Sequence, residues 1–136
     1  MDVVSLATHL SSDPIAKKYA KMLSCALNEV SLDGRMGKLG GFERNKSAAL
    51  SGIRKAHIRM PWEQPWGKRV PQRLRSSDNF LIYCSHNLID NHYQIIQIVS
   101  PDGHSRIDSM LPAIIDFAES NFHCLSGREI QELETY

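Results

Sequence analysis

The sequence predicts an α+β domain in which an antiparallel β-sheet carries N-terminal helices and a C-terminal helix on it. Three observations lead to this class: apolar residues at three- and four-residue spacing after Pro14, two β-like apolar runs in the second half, and a second helical pattern after residue 108. The chain has 136 residues, of which 42% are hydrophobic, as is typical of one domain with a real core. We therefore expect residues 1–136 to form a single domain.

The first part of the chain is predicted to contain one strand and two helices. Residues 2–8 include a short β-branched run that suits a first strand. Asp13 and Pro14 then mark a helix start, because an aspartate caps free backbone N–H groups and proline lacks one. The apolar spacing predicts an amphipathic helix that ends near residues 33–34, and residues 42–51 are predicted to form a second, shorter helix.

A glycine-rich segment separates these two predicted helices. Residues 34–41 contain four glycines, with Arg35 and Lys38 among them. Such a segment can resemble a phosphate-binding loop, but it lacks the order GxxxxGK[ST], and a predicted helix precedes it where that motif requires a strand. We expect a flexible connector here.

The middle of the chain is predicted to be a strand followed by a loop. Residues 55–60 alternate in polarity, so that His57 and Arg59 lie on one face of the strand and Ile58 and Met60 on the other. Residues 61–71 contain three prolines, which interrupt regular structure and predict a loop.

The second half is predicted to be a hairpin followed by a helix. Residues 79–85 form a nearly continuous apolar run that suits the centre of a sheet, and residues 92–100 form a second run. A turn at residues 87–91 makes the two an antiparallel hairpin. After a turn at 101–103, the spacing predicts a helix over residues 108–123. Residues 126–136 are acidic and are predicted to be either a loosely attached tail or a last helical turn.

The net charge of +1 conceals an uneven distribution of charge along the chain. Residues 54–75 contain seven basic residues against one acid, Glu63, whereas residues 108–136 contain six acids against one base, Arg128. The basic residues are Arg54, Lys55, Arg59, Lys68, Arg69, Arg73 and Arg75. A basic middle segment implies an anionic partner, of which nucleic acid is the commonest. The alternative is an ordinary solvated face.

Cysteine and histidine spacing argues against disulfides and metal sites. Cys25, Cys84 and Cys124 are odd in number and show no CxxC pairing, which is typical of reduced thiols in a cytoplasmic protein. No HxxxH or HxH pair and no carboxylate cluster suggests a metal, so we expect neither metal nor cofactor. No apolar run is long enough to predict a signal peptide or a membrane span.

The candidate chemistry is RNA cleavage without a metal. That reaction must activate a 2′-hydroxyl, stabilise a pentacovalent phosphate and protonate the leaving 5′-oxygen. Imidazole suits the proton transfers because its ordinary pKa of about 6.5 lies near neutral pH, and arginine suits the charge because its fork binds one phosphate twice. The candidate catalytic residues are His57, Arg59, Arg73, Arg75, Asp78, Tyr83 and His104.

A second group of residues is predicted to bind RNA, and the family resemblance described below extends this prediction to the ribosome. Aromatic rings beside basic side chains can stack on bases while the charges hold phosphates. The candidates are Arg54, Lys55, Trp62, Trp66, Lys68 and Arg69. Ordinary structural roles compete with these interpretations: His57 can be a hydrogen-bonded core histidine, Tyr83 can be a core residue, and the tryptophans can cover an end of the sheet.

The order of residues resembles the YafO toxin family. The run Ala56-His57-Ile58 is followed by a loop with proline and tryptophan, by the basic and Ser-rich stretch at 73–78, and by Leu81-Ile82-Tyr83-Cys84. The resemblance continues through the isoleucine-rich run at 93–99 to His104 and into the last helix, and it covers roughly residues 42–122.

This resemblance implies a ribosome-dependent mRNA endonuclease that is distantly related to the RelE toxins and has a microbial-ribonuclease-like fold. Such toxins use no metal and leave a 2′,3′-cyclic phosphate and a 5′-hydroxyl. On the matching positions, we expect His57 to transfer a proton and Arg59, Arg73 and Arg75 to surround the phosphate. Tyr83 or His104 would be the second proton-transfer group, and Asp78 would orient a neighbour.

The expected partners are mRNA, the 70S ribosome and a cognate antitoxin, with a homodimer left open and no membrane. The main alternative is a non-catalytic RNA- or ribosome-binding module that blocks translation by occupancy, for which the basic segment alone would suffice. A third hypothesis, a protein that poisons another target such as gyrase, has no positive feature in the sequence.

Overall fold

The computed structural model describes residues 1–136 and has an α+β architecture, as predicted. Five strands form one sheet, and four α-helices pack on it. The strands are β1 (Val3–Leu6), β2 (Met36–Gly41), β3 (Ile53–Ile58), β4 (Phe80–Ser85) and β5 (His92–Val99), and the helices are α1 (Pro14–Leu27), α2 (Lys46–Leu50), α3 (Gly103–Asn121) and α4 (Gly127–Gln131). None of the helices is long and apolar enough to cross a membrane.

The sheet is mostly antiparallel, in the order β1-β5-β4-β3-β2. Antiparallel pairing joins β2 to β3, β3 to β4 and β4 to β5, whereas β1 pairs parallel to β5. The predicted hairpin is therefore confirmed, and its first strand, β4, does lie at the centre. Five of the six residues of β4 are buried, as its apolar run requires.

Helices cover both faces of the sheet and create two apolar layers. Because successive side chains of a strand point to opposite faces, Leu81 and Tyr83 of β4 pack towards α1, while Phe80 and Ile82 pack towards α3. Each fully buried side chain of this size contributes roughly 1.5–3 kcal/mol to folding. The α1 layer includes Tyr19, Leu23, Ile58, Leu81 and Ile95, and the α3 layer includes Ile53, Phe80, Leu111, Ile114 and Phe122.

Helix α1 begins as predicted but ends earlier. The Asp13 side chain accepts hydrogen bonds from the N–H groups of Ile15 and Ala16, and Pro14 opens the helix. The prediction of an end near residues 33–34 was wrong, because Asn28 stops the helix. Its amide hydrogen-bonds both the N–H and the carbonyl of Asp2, so the chain turns away towards β2.

The prediction of a flexible connector at residues 34–41 was also wrong, since this segment contains β2. Gly37 explains why a strand here is rich in glycine. A Cβ atom at Gly37 would lie 2.6 Å from the carbonyl oxygen of Arg75 and 2.7 Å from that of His57. Other backbone thus approaches β2 too closely for any side chain at this position.

Three further boundaries differ from the prediction. The second helix is only α2, which Asn45 caps through a hydrogen bond from the N–H of Ala48. β3 starts at Ile53 and stops at Ile58, two residues earlier at each end than predicted. α3 starts at Gly103 rather than at residue 108, because its first turn is anchored on Asp78 instead of being driven by apolar spacing.

The end of the chain lies against the sheet. Ser126 and Glu129 form a capping box that begins α4, and Ile130 is buried in the α3 layer. Thr135 pairs with Ser5, and the N–H of Tyr136 donates to the carbonyl of Val4. The last residues therefore cover the free edge of β1, which would otherwise expose unpaired backbone groups.

Buried histidines should make the fold less stable in mild acid. His57, His86 and His92 are 6%, 5% and 4% exposed, and burial lowers the pKa of each below its ordinary value of 6.5. The folded state then binds fewer protons than the unfolded state. We expect the free energy of unfolding to be highest above pH ~6.5 and to fall below it, by at most about 1.4 kcal/mol per pH unit for each histidine.

Thermal unfolding from about pH 7.5 down to about pH 5 tests this expectation. His92→Gln should reduce the pH dependence, while His9→Gln, at an exposed position, serves as the matched control. A midpoint that stays constant over this range would contradict it.

Candidate functional site

The candidate site lies on the α3 face of the sheet, where β3, β4 and the start of α3 meet. Pairing of β3 with β4 places His57 opposite Phe80. Just before β4, the carbonyl of Asp78 accepts a 2.7 Å hydrogen bond from the N–H of Gly103. A Cβ at Gly103 would lie 2.8 Å from this carbonyl oxygen, so the close approach requires glycine. The approach brings His104 beside Asp78 and Phe80.

His104 and Asp78 form a hydrogen-bonded pair at the surface. Nδ1 of His104 lies 2.7 Å from Oδ1 of Asp78, and the side chains are 62% and 53% exposed. The backbone N–H of His104 donates to the same oxygen at 2.8 Å. These two hydrogen bonds lower the pKa of Asp78 below its ordinary value, and the bond from the backbone N–H has the larger effect. The carboxylate favours the tautomer with a proton on Nδ1 and balances the charge of an imidazolium.

His57 is the buried neighbour of this pair. Its ring centroid is 6.0 Å from that of His104 and 5.1 Å from that of Phe80. Burial, followed by the nearby charge of Lys55, lowers the pKa of His57, although a hydrogen bond to the Ser77 backbone opposes the shift. His57 is therefore neutral near pH 7. Nδ1 lies 2.9 Å from the carbonyl oxygen of Ser77 and 3.0 Å from its backbone N, so Ser77 can pair with either tautomer of the ring. In the tautomer that donates from Nδ1 to the carbonyl, the lone pair of Nε2 is free.

A cleft lined by aromatic rings and by charged side chains of both signs opens beside His104. Its volume is about 550 Å³, and its walls come from the loop before α2, from β3 and β4, and from the first turns of α3. Nζ of Lys55 lies 4.9 Å from the ring centroid of Phe80 and 5.1 Å from that of Phe42. This ammonium has no ion-pair partner, because the two ion pairs of the structure lie elsewhere, so it is available to an anion.

The candidate site lies within a segment of the chain that matches a known protein family. A family model described as Toxin YafO, type II toxin-antitoxin system, matches residues 25–124. The chain belongs to this family. The match confirms the resemblance seen in the sequence and covers His57, Asp78 and His104. No curated protein and no solved structure matches the chain.

Membership makes the protein the toxin of a type II toxin-antitoxin system and implies a cognate antitoxin as its partner. The five-stranded, mostly antiparallel sheet with helices packed on it is compatible with the RelE-like fold that the resemblance implies. The YafO match ends at residue 124, so α4 and the strand-like end of the chain lie beyond it.

Among the three arginines expected to surround the phosphate, Arg75 has a structural position. It is 3% exposed, and its guanidinium donates hydrogen bonds only to backbone carbonyls. The acceptors are the carbonyls of Val70, Asp33, Met36 and Gly67, at 3.0, 3.1, 3.0 and 3.5 Å. These bonds join the loop before β4 to β2, and they leave Arg75 no free fork for a substrate.

The other two arginines differ from Arg75 and from each other. The guanidinium carbon of Arg59 lies 4.7 Å from the ring centroid of Trp66, and its Nε is buried without a hydrogen-bond partner. Arg73 is exposed in a single 3-10 turn, Gln72–Leu74, which packs beside β2. Neither side chain lines the cleft beside His104.

Tyr83 belongs to the core rather than to this site. It is 2% exposed and points from β4 towards α1, on the face opposite to His57 and Phe80. Burial raises the pKa of its hydroxyl to about 12, so it is a poor proton-transfer group near neutral pH. Tyr83 thus occupies a core position, which was the alternative role that the sequence allowed for it.

The predicted RNA-binding residues are spread over several positions. Trp66 is half-buried against Arg59 and β2, which is the covering role that the sequence also allowed. Trp62, Lys68 and Arg69 are exposed in the loop between β3 and β4. Arg54 is exposed with its guanidinium 6.0 Å from the ring centroid of Tyr93, and Lys55 is the one member that lines the cleft.

Sequence reasoning missed the wall of the cleft formed by Phe42, Arg44 and Asn45. The available signal was the glycine-rich segment before them. Reading it as an edge strand would have placed residues 42–45 at the end of that strand, beside Lys55. The pairing of Gly40 with Lys55 produces this proximity.

Proposed function

We propose that the toxin is a metal-free endoribonuclease that cuts mRNA on the translating ribosome. The observation that carries the proposal is the pair of neighbouring imidazoles, His57 and His104, in opposite environments. Burial lowers the pKa of His57, whereas His104 is exposed and hydrogen-bonded to the carboxylate of Asp78. A buried imidazole and an exposed imidazole that a carboxylate orients are suited to act as a general base and a general acid.

In the proposed mechanism, His57 is the base and His104 the acid. Nε2 of neutral His57 removes the proton of a ribose 2′-hydroxyl, and the 2′-oxygen attacks the adjacent phosphorus. His104, held by Asp78, gives its proton to the departing 5′-oxygen as the P–O bond breaks. The products are a 2′,3′-cyclic phosphate and a 5′-hydroxyl. His57 gains the proton that His104 loses, so the overall proton count is unchanged.

Lys55 supports the negative charge that develops on the phosphate. Its ammonium lies over the ring of Phe80, which also contacts both histidine rings, and no protein acceptor occupies it. By analogy with the loss of one oxyanion-binding donor, Lys55→Ala should cost ~10²–10³-fold in rate, or about 3–4 kcal/mol. Asp78 is a positioning residue, since it acts through His104.

The exposed basic loop is suited to hold ribosomal or messenger RNA. Its exposed side chains do not line the cleft and belong to Trp62, Lys68, Arg69 and Arg73. A partner rich in phosphate attracts such a surface without sequence preference. Action on translating ribosomes puts the toxin in the cytoplasm, and the proposed site is complete within one copy of the chain.

A translating extract supplied with one defined message tests the proposal. Purified toxin should produce new 5′-hydroxyl ends inside the reading frame, mapped by primer extension, and should leave a message without a start codon intact. Lys18→Ala, on α1 at the other face of the sheet, is the matched control for Lys55→Ala and should cut normally. Arrest of protein synthesis with intact transcripts would instead support the non-catalytic binder.

A further inference from the structure

We propose that the cleft beside His104 binds the nucleobase on the 3′ side of the bond that is cut. This proposal rests on the proposed nuclease function and names the part of the substrate that the cleft takes. The cleft is larger than a phosphate needs: its volume of about 550 Å³ leaves space for a nucleoside beside Lys55.

The floor of the cleft suits a base rather than a second phosphate. Its apolar residues are Phe42, Phe80, Ile107 and Leu111. Phe80 is 0% exposed, so Phe42 is the aromatic ring that can offer a face to a base. A phosphate gains nothing from apolar contacts, whereas a nucleobase has two apolar faces that stack on aromatic rings. Phe42 is only half-buried, so part of its ring is open to a ligand.

The rim of the cleft carries groups that match the edge of a base. Glu43 and Asp108 provide carboxylate acceptors, and Arg44 provides donors. Asn45 uses its Oδ1 to cap α2 and keeps its NH₂ group as a donor. The edges of nucleobases present both donors and acceptors, and a mixed rim of this kind can bond to either.

The position of the two histidines decides which base enters. His104 lines the cleft and His57 does not. In the proposed mechanism His104 protonates the 5′-oxygen, which belongs to the nucleoside on the 3′ side of the cut. The nucleoside next to His104 is therefore the downstream one, and its 5′-phosphate lies by Lys55.

Calorimetric titration of the full chain with three probes tests this arrangement: adenosine 5′-monophosphate, adenosine 3′-monophosphate and inorganic phosphate. Because base–aromatic stacking contributes ~1–3 kcal/mol, the 5′-monophosphate should bind roughly 5- to 160-fold more tightly than inorganic phosphate. It should also bind more tightly than the 3′-monophosphate, which places its phosphate on the wrong side of the sugar. Equal affinity for all three probes would overturn the proposal.

Phe42→Ala should remove most of the advantage of the nucleotide while leaving the affinity for inorganic phosphate unchanged. Phe117→Ala is the matched control, because Phe117 is also a half-buried phenylalanine packed on the α3 layer but lies outside the cleft. Phe42→Leu keeps an apolar side chain at this position and removes the ring, so it should also weaken nucleotide binding without unfolding the chain. Unchanged nucleotide affinity in both Phe42 variants would overturn the base site.

The two proposals fail in different ways. If the chain binds nucleotides through Phe42 but does not cleave translated mRNA, the nuclease proposal is rejected. The assignment of the base to the 3′ side of the cut is then rejected with it. Cleavage of mRNA by a protein that binds nucleotides no better than phosphate would keep the nuclease and reject the base site.

Discussion

His104→Ala should lower the rate of mRNA cleavage by about 10²–10⁴-fold while leaving the fold intact. The imidazole is the proposed acid, and without it the 5′-oxygen must leave unprotonated or take its proton from water. The fold should tolerate the change, because the side chain is 62% exposed and the backbone N–H of residue 104 can still donate to Asp78. The rate at one mapped cleavage site and the thermal midpoint are the two measurements.

Two further variants separate chemistry from structure at this position. Asp78→Asn keeps an oxygen that can accept from the backbone of α3 but cannot balance an imidazolium, so cleavage should fall by a smaller factor with little change in stability. His9→Ala removes another exposed imidazole, which hydrogen-bonds the carbonyl of Ile96 and does not line the cleft, and should cut normally. Normal cleavage by His104→Ala would reject His104 as the acid.

Strong local signals explain which elements the sequence predicted correctly. The hairpin of β4 and β5 has two long apolar runs around a polar turn, and α1 begins with a capping aspartate and a proline, so neighbouring residues determine both. β2 has no such signal. Its glycines are weak strand formers, and the strand exists because β3 and the Arg75 backbone approach it closely, which short-range periodicity does not encode.

The candidate site shows the same division. The family resemblance grouped His57, Asp78, Tyr83 and His104, with Arg73 and Arg75 in support. The structure brings His57, Asp78 and His104 together at the start of α3 but places Tyr83 on the opposite face of the sheet. The sequence could not separate arginines that bind phosphate from arginines that join loops, because both are written as the same residue. The carbonyls that occupy Arg75 come from segments up to 42 positions away in the chain.

Arg75→Ala should destabilise the fold by about 3 kcal/mol or more, since it leaves several buried carbonyls without donors. The guanidinium joins the loop before β4 to the backbone of Asp33 and Met36, and it lies 5.9 Å from the ring centroid of Trp66. Arg75→Lys should recover only part of the loss, because an ammonium has no planar fork to reach all the acceptors. Urea unfolding measures both variants.

Arg73→Ala is the control that makes this result informative about function. Arg73 is two residues away and exposed, so its removal should change the free energy of unfolding by less than about 0.5 kcal/mol. The reverse pattern, with wild-type stability and lost cleavage in Arg75→Ala, would mean that this guanidinium leaves its carbonyls to bind RNA. In that case the hydrogen bonds to the carbonyls of Asp33 and Met36 would contribute little to stability and could break during the reaction.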